Sequence, residues 1–419
     1  MSRVIATDDV PVLVLGAHIA ALGVLRLLAR RGIPTWVVDD TTNIISRSRW
    51  YRRPDGTLVE SGDPEALAAY LRTLGIPRAV LIPCSDQWAL AVAGLPADLK
   101  ERFPTSLAPY EAIAQFVDKD RFRALVDQLD LPRPRTLLIR EPADLDLASD
   151  EDFARGFLKP TESHRHNKRF RTKGFFVESR ADARRLVEQA SATGITFMLQ
   201  EWIPGDMSKT FLIDGFVDRT GTIRAMVARR RVRMDPPRLA NTCSDVTIPL
   251  ADLEDCLPPL RALLEAVDYR GIFNVEFKHD ERDGLFKIIE LNPRPFWLIG
   301  HIARAGADLA WLSYLDAQEL PIPDPPPYRV GRYGRYEIPD ATAIARAWRH
   351  GRRPEGPVVR PWLSGDRALF WWSDPMPAVA DVGQIAARRL GRAGASVRRL
   401  VVPGSATAAE DTNHAVQSP

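Results

Sequence analysis

The segment at residues 271–295, GIFNVEFKHDERDGLFKIIELNPRP, constrains the fold of this chain more than any other. Apolar and polar residues alternate on both sides of an Asp-Gly dipeptide, which is typical of two antiparallel strands joined by a tight turn. Side chains two residues apart share one face of a strand, so Glu290 and Asn292 share a face of the second strand. If the turn is centred near Asp283, Glu276 of the first strand lies opposite Glu290. A slip of one residue would place the two carboxylates on opposite faces.

Two carboxylates that face each other on neighbouring strands repel and destabilise the hairpin unless a positive charge neutralises them. A hard divalent cation does so, and magnesium favours a few carboxylates together with phosphate oxygens and water. Asn292 adds a neutral oxygen ligand, and Arg294 offers a planar fork for a carboxylate or a phosphate. The alternative is a half-exposed hairpin with two unrelated surface glutamates. The apolar residues around Glu276 and Glu290 favour a buried, functional site.

The composition is that of a soluble globular protein. The chain has 419 residues, 45% of them apolar and 26% charged, and this length predicts two or three domains. A net charge of +3 is too small to indicate nucleic acid as a partner. The three cysteines are far apart, which suits a reducing compartment and gives no zinc or disulfide pattern. The N-terminus lacks the apolar core of a secretory signal, so we expect a cytoplasmic protein outside the membrane.

The N-terminal region repeats a strand–helix–strand pattern. Residues 11–39 form one such unit by pattern, and DPEALAAYLRTLG followed by RAVLIPCSD continues it. We therefore predict a Rossmann-like domain over residues 1–112. The dinucleotide fingerprint G-x-G-x-x-G is broken, because His18 occupies the place of its second glycine. A structural Rossmann-like domain is preferred, and a nicotinamide-dependent oxidoreductase remains the weakest alternative.

Strand and helix segments alternate again after the first domain, and we predict a second domain over residues 113–328. The proline-rich stretch PIPDPPPYRVGRYGRY predicts a linker, since its prolines suit neither a helix nor a central strand. A small α/β extension is predicted over residues 329–403, with a strand at RALFWW and a helix near AVADVGQIAARRL. Residues 404–419 are expected to be disordered. The aromatic residues of FWWSDP are expected in a core, with a pocket cover or a dimer contact as alternatives.

The pattern FNVEFK…FKIIELNPRP resembles the metal-binding signature of the ATP-grasp ligases, in which an acidic residue is followed on the next strand by E-x-N-x-R. The resemblance implies that Glu276, Glu290 and Asn292 hold magnesium, with manganese as an alternative, against the phosphates of ATP. It implies that Arg294 meets the acyl phosphate or the substrate. It extends from about residue 11 to residue 328. The implied fold is α/β: a Rossmann-like pre-ATP-grasp domain, an ATP-grasp α+β domain and a small C-terminal segment.

Two lysines occur upstream in the order that the family shows. Lys119 in VDKDRF resembles its first nucleotide-binding lysine, and Lys159 in GFLKP resembles the second. Either lysine alone is more typical of a surface side chain. Together and in order, they are predicted to bind the nucleotide.

The stretch MLQEWIPGD resembles the adenine hinge of the family, whose backbone groups meet the edge of the base. Glu201 would lie by the adenine amino group, and Trp202 and Ile203 would flank the base. Asp206 would accept hydrogen bonds from the ribose hydroxyls, because a carboxylate suits a diol. The alternative for Asp206 is an ordinary turn residue after a glycine.

The stretch MVARRRVRM places Arg229, Arg231 and Arg233 on one strand face. Three neighbouring guanidinium groups are normally typical of a solvated edge. In the ATP-grasp family one such arginine often contacts the transferring phosphate, where fixed positive charge stabilises developing negative charge. Arg231 is predicted to take this role.

The loop after Lys159 departs from the family, many members of which have a glycine-rich flap over the phosphates. Residues 161–174 are instead rich in Arg, Lys and His, and Lys168 or Lys173 could supply charge in place of backbone donors. A mobile basic loop and a contact to a polyanion are the alternatives.

The resemblance is closest to the predicted carboxylate–amine ligases of the D-aspartate ligase-like kind. It implies an ADP-forming ligase that joins a small-molecule carboxylate to an amine, amino-acid-like substrates, and ATP with magnesium. Asp86 is available near the domain junction. A homodimer is compatible with the sequence. The alternative from another class is a nucleotide-binding regulatory protein without ligase activity.

Overall fold

The computed structural model describes residues 10–38, 44–55, 62–161, 174–191, 195–235 and 241–385. Lys168, nearly all of the predicted phosphate-covering loop and the predicted disordered tail lie outside these described residues. No described helix is both long enough and apolar enough to cross a membrane.

The N-terminal region forms a three-stranded parallel sheet in the order β2-β1-β3. Its strands are β1 (Val12–Leu15), β2 (Thr35–Val38) and β3 (Val80–Pro83). Every residue of β1 and β3 is buried, as continuous apolar runs in a sheet covered on both faces require. The strand–helix–strand pattern read from the sequence is therefore confirmed.

A four-stranded antiparallel sheet follows, in the order β4-β7-β5-β6. Its strands are β4 (Thr136–Ile139), β5 (Gly156–Pro160), β6 (Phe175–Phe176) and β7 (Phe197–Glu201). One face of this sheet carries its own small apolar core.

A seven-stranded sheet in the order β12-β11-β8-β9-β10-β13-β14 forms the largest part of the molecule. It is antiparallel except for the pair β13–β14. Its strands are β8 (Thr210–Val217), β9 (Ile223–Asp235), β10 (Asn241–Ile248), β11 (Gly271–His279), β12 (Phe286–Asn292), β13 (Tyr333–Arg335) and β14 (Asp366–Arg367). The predicted hairpin is the pair β11–β12.

The helices cover the sheets. The α-helices include Ile19–Ala29, Pro64–Thr73, Asp86–Ala93, Ala97–Arg102, Tyr110–Val117, Lys119–Gln128, Asp150–Arg155, Arg180–Ser191, Leu257–Ala266, Ile299–Ala305, Leu309–Ala317, Glu337–Arg349 and Val359–Ser364. Residues 376–385 are also helical, in agreement with the helix predicted near AVADVGQIAARRL. Short 3-10 helices occur at Ile44–Arg47, Pro142–Leu147, Met207–Lys209 and Leu250–Cys256.

Side-chain caps fix where three of these helices begin. His18 Nδ1 accepts a hydrogen bond from the Ala20 backbone N–H at 3.3 Å, and Ser85 Oγ accepts one from Trp88 at 3.2 Å. Asp118 caps the helix that begins at Lys119. These caps satisfy backbone donors that a helix leaves unpaired at its start.

The strand predicted at RALFWW is wrong for most of its length, since β14 ends at Arg367. The backbone N–H groups of Leu369 and Phe370 donate to the Glu337 carboxylate at 3.0 and 2.7 Å and not to a neighbouring strand. The chain then turns so that Trp371 is buried while Trp372 is 85% exposed. A side chain distant in sequence therefore replaces the strand partner.

The end of the described chain is held against the first domain by a buried ion pair. Arg26 Nε donates to Asp374 Oδ2 at 2.9 Å, and both side chains are at most 1% exposed. Ser48 Oγ donates to the same carboxylate at 2.8 Å, and the Arg49 backbone N–H donates to its other oxygen at 2.8 Å. Trp371 packs under the Arg26 guanidinium. Trp371 thus contributes to a core, as expected, whereas Trp372 is exposed and does not.

Candidate functional site

A cleft lies where the three sheets meet. One cavity of about 260 Å³ opens between the small sheet and the hairpin, and a second of about 880 Å³ continues from it toward the N-terminal domain. The first is lined by Lys159, Glu201, Trp202, Ile203, Arg231, Glu276, Glu290, Asn292 and Arg294. The second shares four of these residues, Lys159, Glu290, Asn292 and Arg294, and adds Lys119, His18 and Asp86. Most of the predicted site residues therefore border one continuous cleft.

The two glutamates of the hairpin are direct neighbours across β11 and β12. The register pairs Glu276 with Glu290, and a bulge follows immediately. This is the register in which the carboxylates share a face, as a turn centred near Asp283 requires. Glu276 is neutralised by Arg231, whose Nη2 lies 2.6 Å from Oε2 and whose Nη1 lies 3.2 Å from Oε1.

Arg231 is oriented by two elements at once. Its Nε donates to Thr242 Oγ1 at 2.7 Å on the neighbouring strand, and its side chain is only 7% exposed. A bidentate contact of this kind fixes the plane of the guanidinium. The predicted phosphate-contacting arginine therefore lies beside the predicted metal ligands, and its charge is held in a defined place.

Asn292 and Arg294 connect the hairpin to the N-terminal domain. Arg294 Nη2 donates to Asn292 Oδ1 at 3.0 Å. The same guanidinium donates to Asp86, at 2.6 Å from Nε to Oδ1 and at 3.3 Å from Nη2 to Oδ2. Burial acts to lower the pKa of Arg294, but the Asp86 carboxylate outweighs it and raises this pKa above its usual value.

Asn292 also donates from Nδ2 to Asn274 Oδ1 and to Glu290 Oε1, both at 3.3 Å. Asn274 donates in turn to Asp214 at 2.6 Å, and Asp214 accepts from Arg229. These hydrogen bonds connect Glu290 and Asn292 through Asn274 to Asp214, and they fix the orientation of the predicted metal ligands.

No role for Asn274 or Asp214 was predicted from the sequence. Asn274 lies two residues before Glu276 on the same face of β11, and this spacing could have indicated that it belongs to the site. Asp214 carries no such signal, because its partners come from other strands.

The three arginines of β9 are buried, contrary to the solvated edge that such a row normally indicates. Arg229 lies between the carboxylates of Asp214 and Asp245, and Arg233 donates to Asp340 at 2.6 Å. Strand β9 is central in its sheet, so each guanidinium finds a carboxylate from an adjacent element.

The two predicted nucleotide lysines flank the cleft. Lys119 is the first residue of its helix, and its Nζ donates to the Pro160 carbonyl oxygen at 2.9 Å. This contact ties the helix to the end of β5, the strand that carries Lys159. Lys159 borders both cavities, and within the described residues its ammonium has no hydrogen-bond or ion-pair partner.

The predicted hinge lies at the end of β7. Trp202 packs edge-on against Phe157 and Phe176, and the side chain of Glu201 lies 2.6 Å from Arg282 Nη2. The backbone N–H of Glu201 donates to the Arg135 carbonyl, and that of Trp202 donates to the Arg155 carbonyl. A base edge at this strand would therefore meet backbone groups other than these two.

Asp206 lies outside the residues that line either cavity. Its Oδ1 accepts from the Ser208 backbone N–H at 2.8 Å and from Ser208 Oγ, which is the geometry of the alternative turn role. Those hydrogen bonds lower its pKa despite some burial. Lys278 Nζ donates to the Asp206 carbonyl oxygen at 2.7 Å and so ties this loop to the hairpin.

The donor set fits a hard cation. Glu276, Glu290 and Asn292 offer two carboxylates and an amide oxygen at one end of a cavity, the oxygen chemistry that magnesium accepts when phosphates and water complete its shell. Among the described residues there is no cluster of three or more His, Cys, Asp or Glu that could hold a metal by itself. A metal here would thus depend on a ligand that brings further oxygens.

Comparison with known proteins gives one curated relative and many similar folds. No family model matches the chain. A D-aspartate ligase from Enterococcus faecium (strain Aus0004) is 28% identical over 223 residues, 51% of this chain and 53% of that protein. The chain therefore matches about half the length of this relative.

Three crystal structures illustrate the similar folds. An N5-carboxyaminoimidazole ribonucleotide synthetase in complex with ADP has a TM-score of 0.62 at 14% identity, covering 83% of this chain and 87% of that one. A carboxyaminoimidazole ribonucleotide synthase from Aspergillus clavatus complexed with ATP has a TM-score of 0.60 at 15% identity, covering 81% and 86%. An L-amino acid ligase from Bacillus licheniformis has a TM-score of 0.56 at 14% identity, covering 78% and 79%. The chain therefore has the ATP-grasp fold, which follows a Rossmann-like domain in the sequence. Its resemblance to ATP-grasp ligases of the D-aspartate ligase-like kind is confirmed.

Proposed function

We propose that this chain is an ATP-dependent carboxylate–amine ligase. A carboxylate oxygen of one substrate attacks the γ-phosphorus of ATP, so that an acyl phosphate forms and ADP leaves. The nitrogen of an amine then attacks the acyl carbon, phosphate leaves, and the amine loses a proton to give an amide. Catalysis in such a site depends on positioning and on charge neutralisation.

The observation that carries the proposal is the pair Glu276 and Glu290 facing each other in the cleft. Two apposed carboxylates are unfavourable on adjacent strands unless positive charge lies beside them, and Arg231 pairs with Glu276. Together with Asn292, the two glutamates would hold magnesium, or manganese as an alternative. The metal would supply positive charge next to the nucleotide phosphates.

The nucleotide-binding roles are proposed for residues that line the cleft. Lys119 and Lys159 would bind the phosphates from the side of the small sheet, and Glu201, Trp202 and Ile203 would surround the adenine. The complexes of two relatives with ADP and ATP support nucleotide use here. Asp206 toward the ribose and Lys168 over the phosphates remain predictions.

Arg231 and Arg294 would steady the acyl phosphate. Both are held by carboxylates, Glu276 and Asp86, so both present fixed positive charge at the cleft. Preorganised charge of this kind stabilises negative charge that develops during transfer.

The names of the D-aspartate ligase and the L-amino acid ligase favour amino-acid-like substrates, without fixing either one. A homodimer remains a prediction, which size-exclusion chromatography with light scattering would test.

The decisive variant is Glu290→Gln, which keeps the shape of the side chain and removes one charge. We expect it to lower ADP release by about a hundredfold or more, because the metal loses a charged ligand next to the transferring phosphate. The assay supplies ATP, magnesium, a pool of carboxylic and amino acids, and a pool of amines, and products are identified by mass spectrometry. Glu281→Gln, in the exposed turn of the same hairpin, is the matched control and should keep full activity. Normal turnover by Glu290→Gln would refute the proposed metal site.

The assay also separates the alternatives. A regulatory protein would bind ATP in a fluorescence titration and release no ADP with any substrate pair. An oxidoreductase would bind NADH and not ATP.

A further inference from the structure

Two polar residues of the N-terminal domain reach the cleft from the carboxyl ends of their strands. His18 follows β1, and Asp86 follows β3, the neighbouring strand of the parallel sheet. In sheets of this type, ligands bind in the crevice beyond the carboxyl ends of the strands. Both residues line the cavity of about 880 Å³ that also contains Arg294. The N-terminal domain thus contributes one wall of the cleft.

The carboxylate of Asp86 does not cap the helix that it begins. Ser85 caps that helix by accepting a hydrogen bond from the Trp88 backbone N–H, and Asp86 faces the cavity. Two other acidic residues that line this cavity have different partners: Asp118 caps the helix that begins at Lys119, and Asp120 pairs with Arg123 and Arg140. Asp86 pairs instead with Arg294, an arginine 208 positions away that borders the proposed reaction centre.

The pair Asp86–Arg294 is partly accessible. Its side chains are 33% and 19% exposed, respectively, and the contact is bidentate at 2.6 and 3.3 Å. A substrate carboxylate that takes the Arg294 fork would displace Asp86 and leave its charge unpaired at the wall of a cavity. Leaving one member of a partly buried ion pair without a partner is costly. The displaced carboxylate therefore requires a new cation.

An amino acid satisfies both partners at once. Its carboxylate can replace Asp86 on Arg294, and its ammonium can replace Arg294 on Asp86, so two charge-assisted contacts replace one ion pair. A simple carboxylic acid satisfies Arg294 alone. The neighbouring His18 does not supply the missing cation, since burial and then Arg294 lower its pKa to about 4 and leave it neutral at pH 7.

We propose that Asp86 recognises the ammonium group of an amino acid whose carboxylate lies on Arg294 and is activated there. The inference rests on the proposed ligase function and deepens it: the acyl donor is an amino acid, and Asp86 sets that specificity from the N-terminal domain. A purely structural role, in which Asp86 only orients Arg294, would affect all carboxylic acids alike.

The test uses hydroxylamine as the amine, because it traps acyl phosphates as hydroxamates and removes the need to know the natural acceptor. The full-length protein is given ATP, magnesium chloride, hydroxylamine and each common amino acid in both configurations. Parallel reactions contain the matching acid without its amino group and the N-acetylated amino acid. ADP and hydroxamate are both measured. The readout is the ratio of kcat/KM for an amino acid to kcat/KM for its des-amino counterpart.

We expect wild-type protein to favour the amino acid by about 10- to 100-fold, the usual worth of a hydrogen bond to a charged group. Asp86→Asn should lower this ratio by a similar factor, because it removes the contact to the ammonium group, whereas any effect through Arg294 acts on both acids and cancels in the ratio. Asp98→Asn is the matched control, because Asp98 lies in the first turn of another helix of the same domain and is exposed. It should leave the ratio unaltered.

The outcomes separate the two proposals. If wild-type protein forms neither ADP nor hydroxamate with any acid, the ligase function fails and the role of Asp86 fails with it. If it is active but accepts des-amino or N-acetylated acids equally well, only the role of Asp86 is overturned. This comparison uses wild-type protein alone, so it does not depend on whether the Asp86 variant folds. An Asp86→Asn protein that loses the same factor on both acids would show that Asp86 merely orients Arg294.

Discussion

Lowering the pH from 7 to 4.5 should destabilise the N-terminal domain through one residue, His18. Its ring accepts a hydrogen bond from the Ala20 backbone N–H, also hydrogen-bonds the backbone of Cys84, and is partly buried at the wall of the cleft. Burial is the largest cause of its low pKa of about 4, and the Arg294 guanidinium is the second. A proton on this ring would place two positive charges side by side and would remove the acceptor that caps the helix.

The sign and size of the effect follow from proton linkage. A histidine in an unfolded chain has a pKa of about 6.5, so between that value and about 4 the unfolded chain binds a proton that the folded chain does not. The contribution of neutral His18 to the free energy of unfolding is therefore fully present above pH 6.5, and it is lost as the pH falls from 6.5 toward 4. The gap between the two pKa values corresponds to about 3 kcal/mol in the free energy of unfolding, and partial exposure of the ring reduces it to about 2 kcal/mol.

The assay compares wild-type protein with His18→Asn, since Asn also caps helices well and does not titrate in this range. Urea unfolding between pH 7.5 and 4.5 should show the pH dependence weakened in the variant by about 2 kcal/mol. NMR of protein labelled at the histidine ring carbon should show one resonance, absent from the variant, that does not titrate above pH 5. A midpoint near 6.5 for that resonance, or equal pH dependence of both proteins, would refute the reasoning.

Two further predictions concern the buried arginine pairs. Arg231→Lys should lower kcat by about 10² or more, because an ammonium cannot reproduce the bidentate contact with Glu276, whereas Arg230→Lys at the exposed neighbouring position should not change it. Asp374→Ala should lower the free energy of unfolding by about 3–5 kcal/mol, since it leaves a fully buried guanidinium without an anion. Asp98→Ala, which breaks an exposed pair, should cost no more than about 1 kcal/mol in the same urea titration.

The hairpin could be predicted because its information is local. Period-two alternation and an Asp-Gly turn indicate a hairpin within 25 residues of sequence, but they place Glu276 opposite Glu290 only if the turn is centred near Asp283. The structure has that pairing, with a bulge directly after Glu276 that the pattern does not contain. The parallel sheet was predictable for the same reason, since each strand–helix unit carries its own apolar pattern. The family motifs then supplied an order for Lys119 and Lys159 that periodicity alone does not contain.

The partners of the charged side chains could not be predicted. Arg294 meets Asp86 from another domain, and Arg26 meets Asp374 from 348 positions away. Such pairs depend on how the sheets pack, which no local pattern encodes. The strand predicted at RALFWW was wrong for the same reason. Its residues favour a strand, but the backbone N–H groups of Leu369 and Phe370 donate to the Glu337 carboxylate and not to a neighbouring strand.

The pairing of charges in the cleft bears directly on how substrates would enter it. Glu276 is paired with Arg231, and Asp86 is paired with Arg294, so two of the carboxylates in the cleft already have an arginine partner. An anion that takes an arginine must release a carboxylate, and a cation must then meet that carboxylate or the exchange is unfavourable. In the proposed function, nucleotide phosphates with a divalent cation would satisfy the pair on the hairpin, and a zwitterionic amino acid would satisfy the pair at the N-terminal wall. At each of these two pairs, a ligand that carries only one sign of charge would leave one partner unpaired and would therefore bind less well than a ligand that carries both.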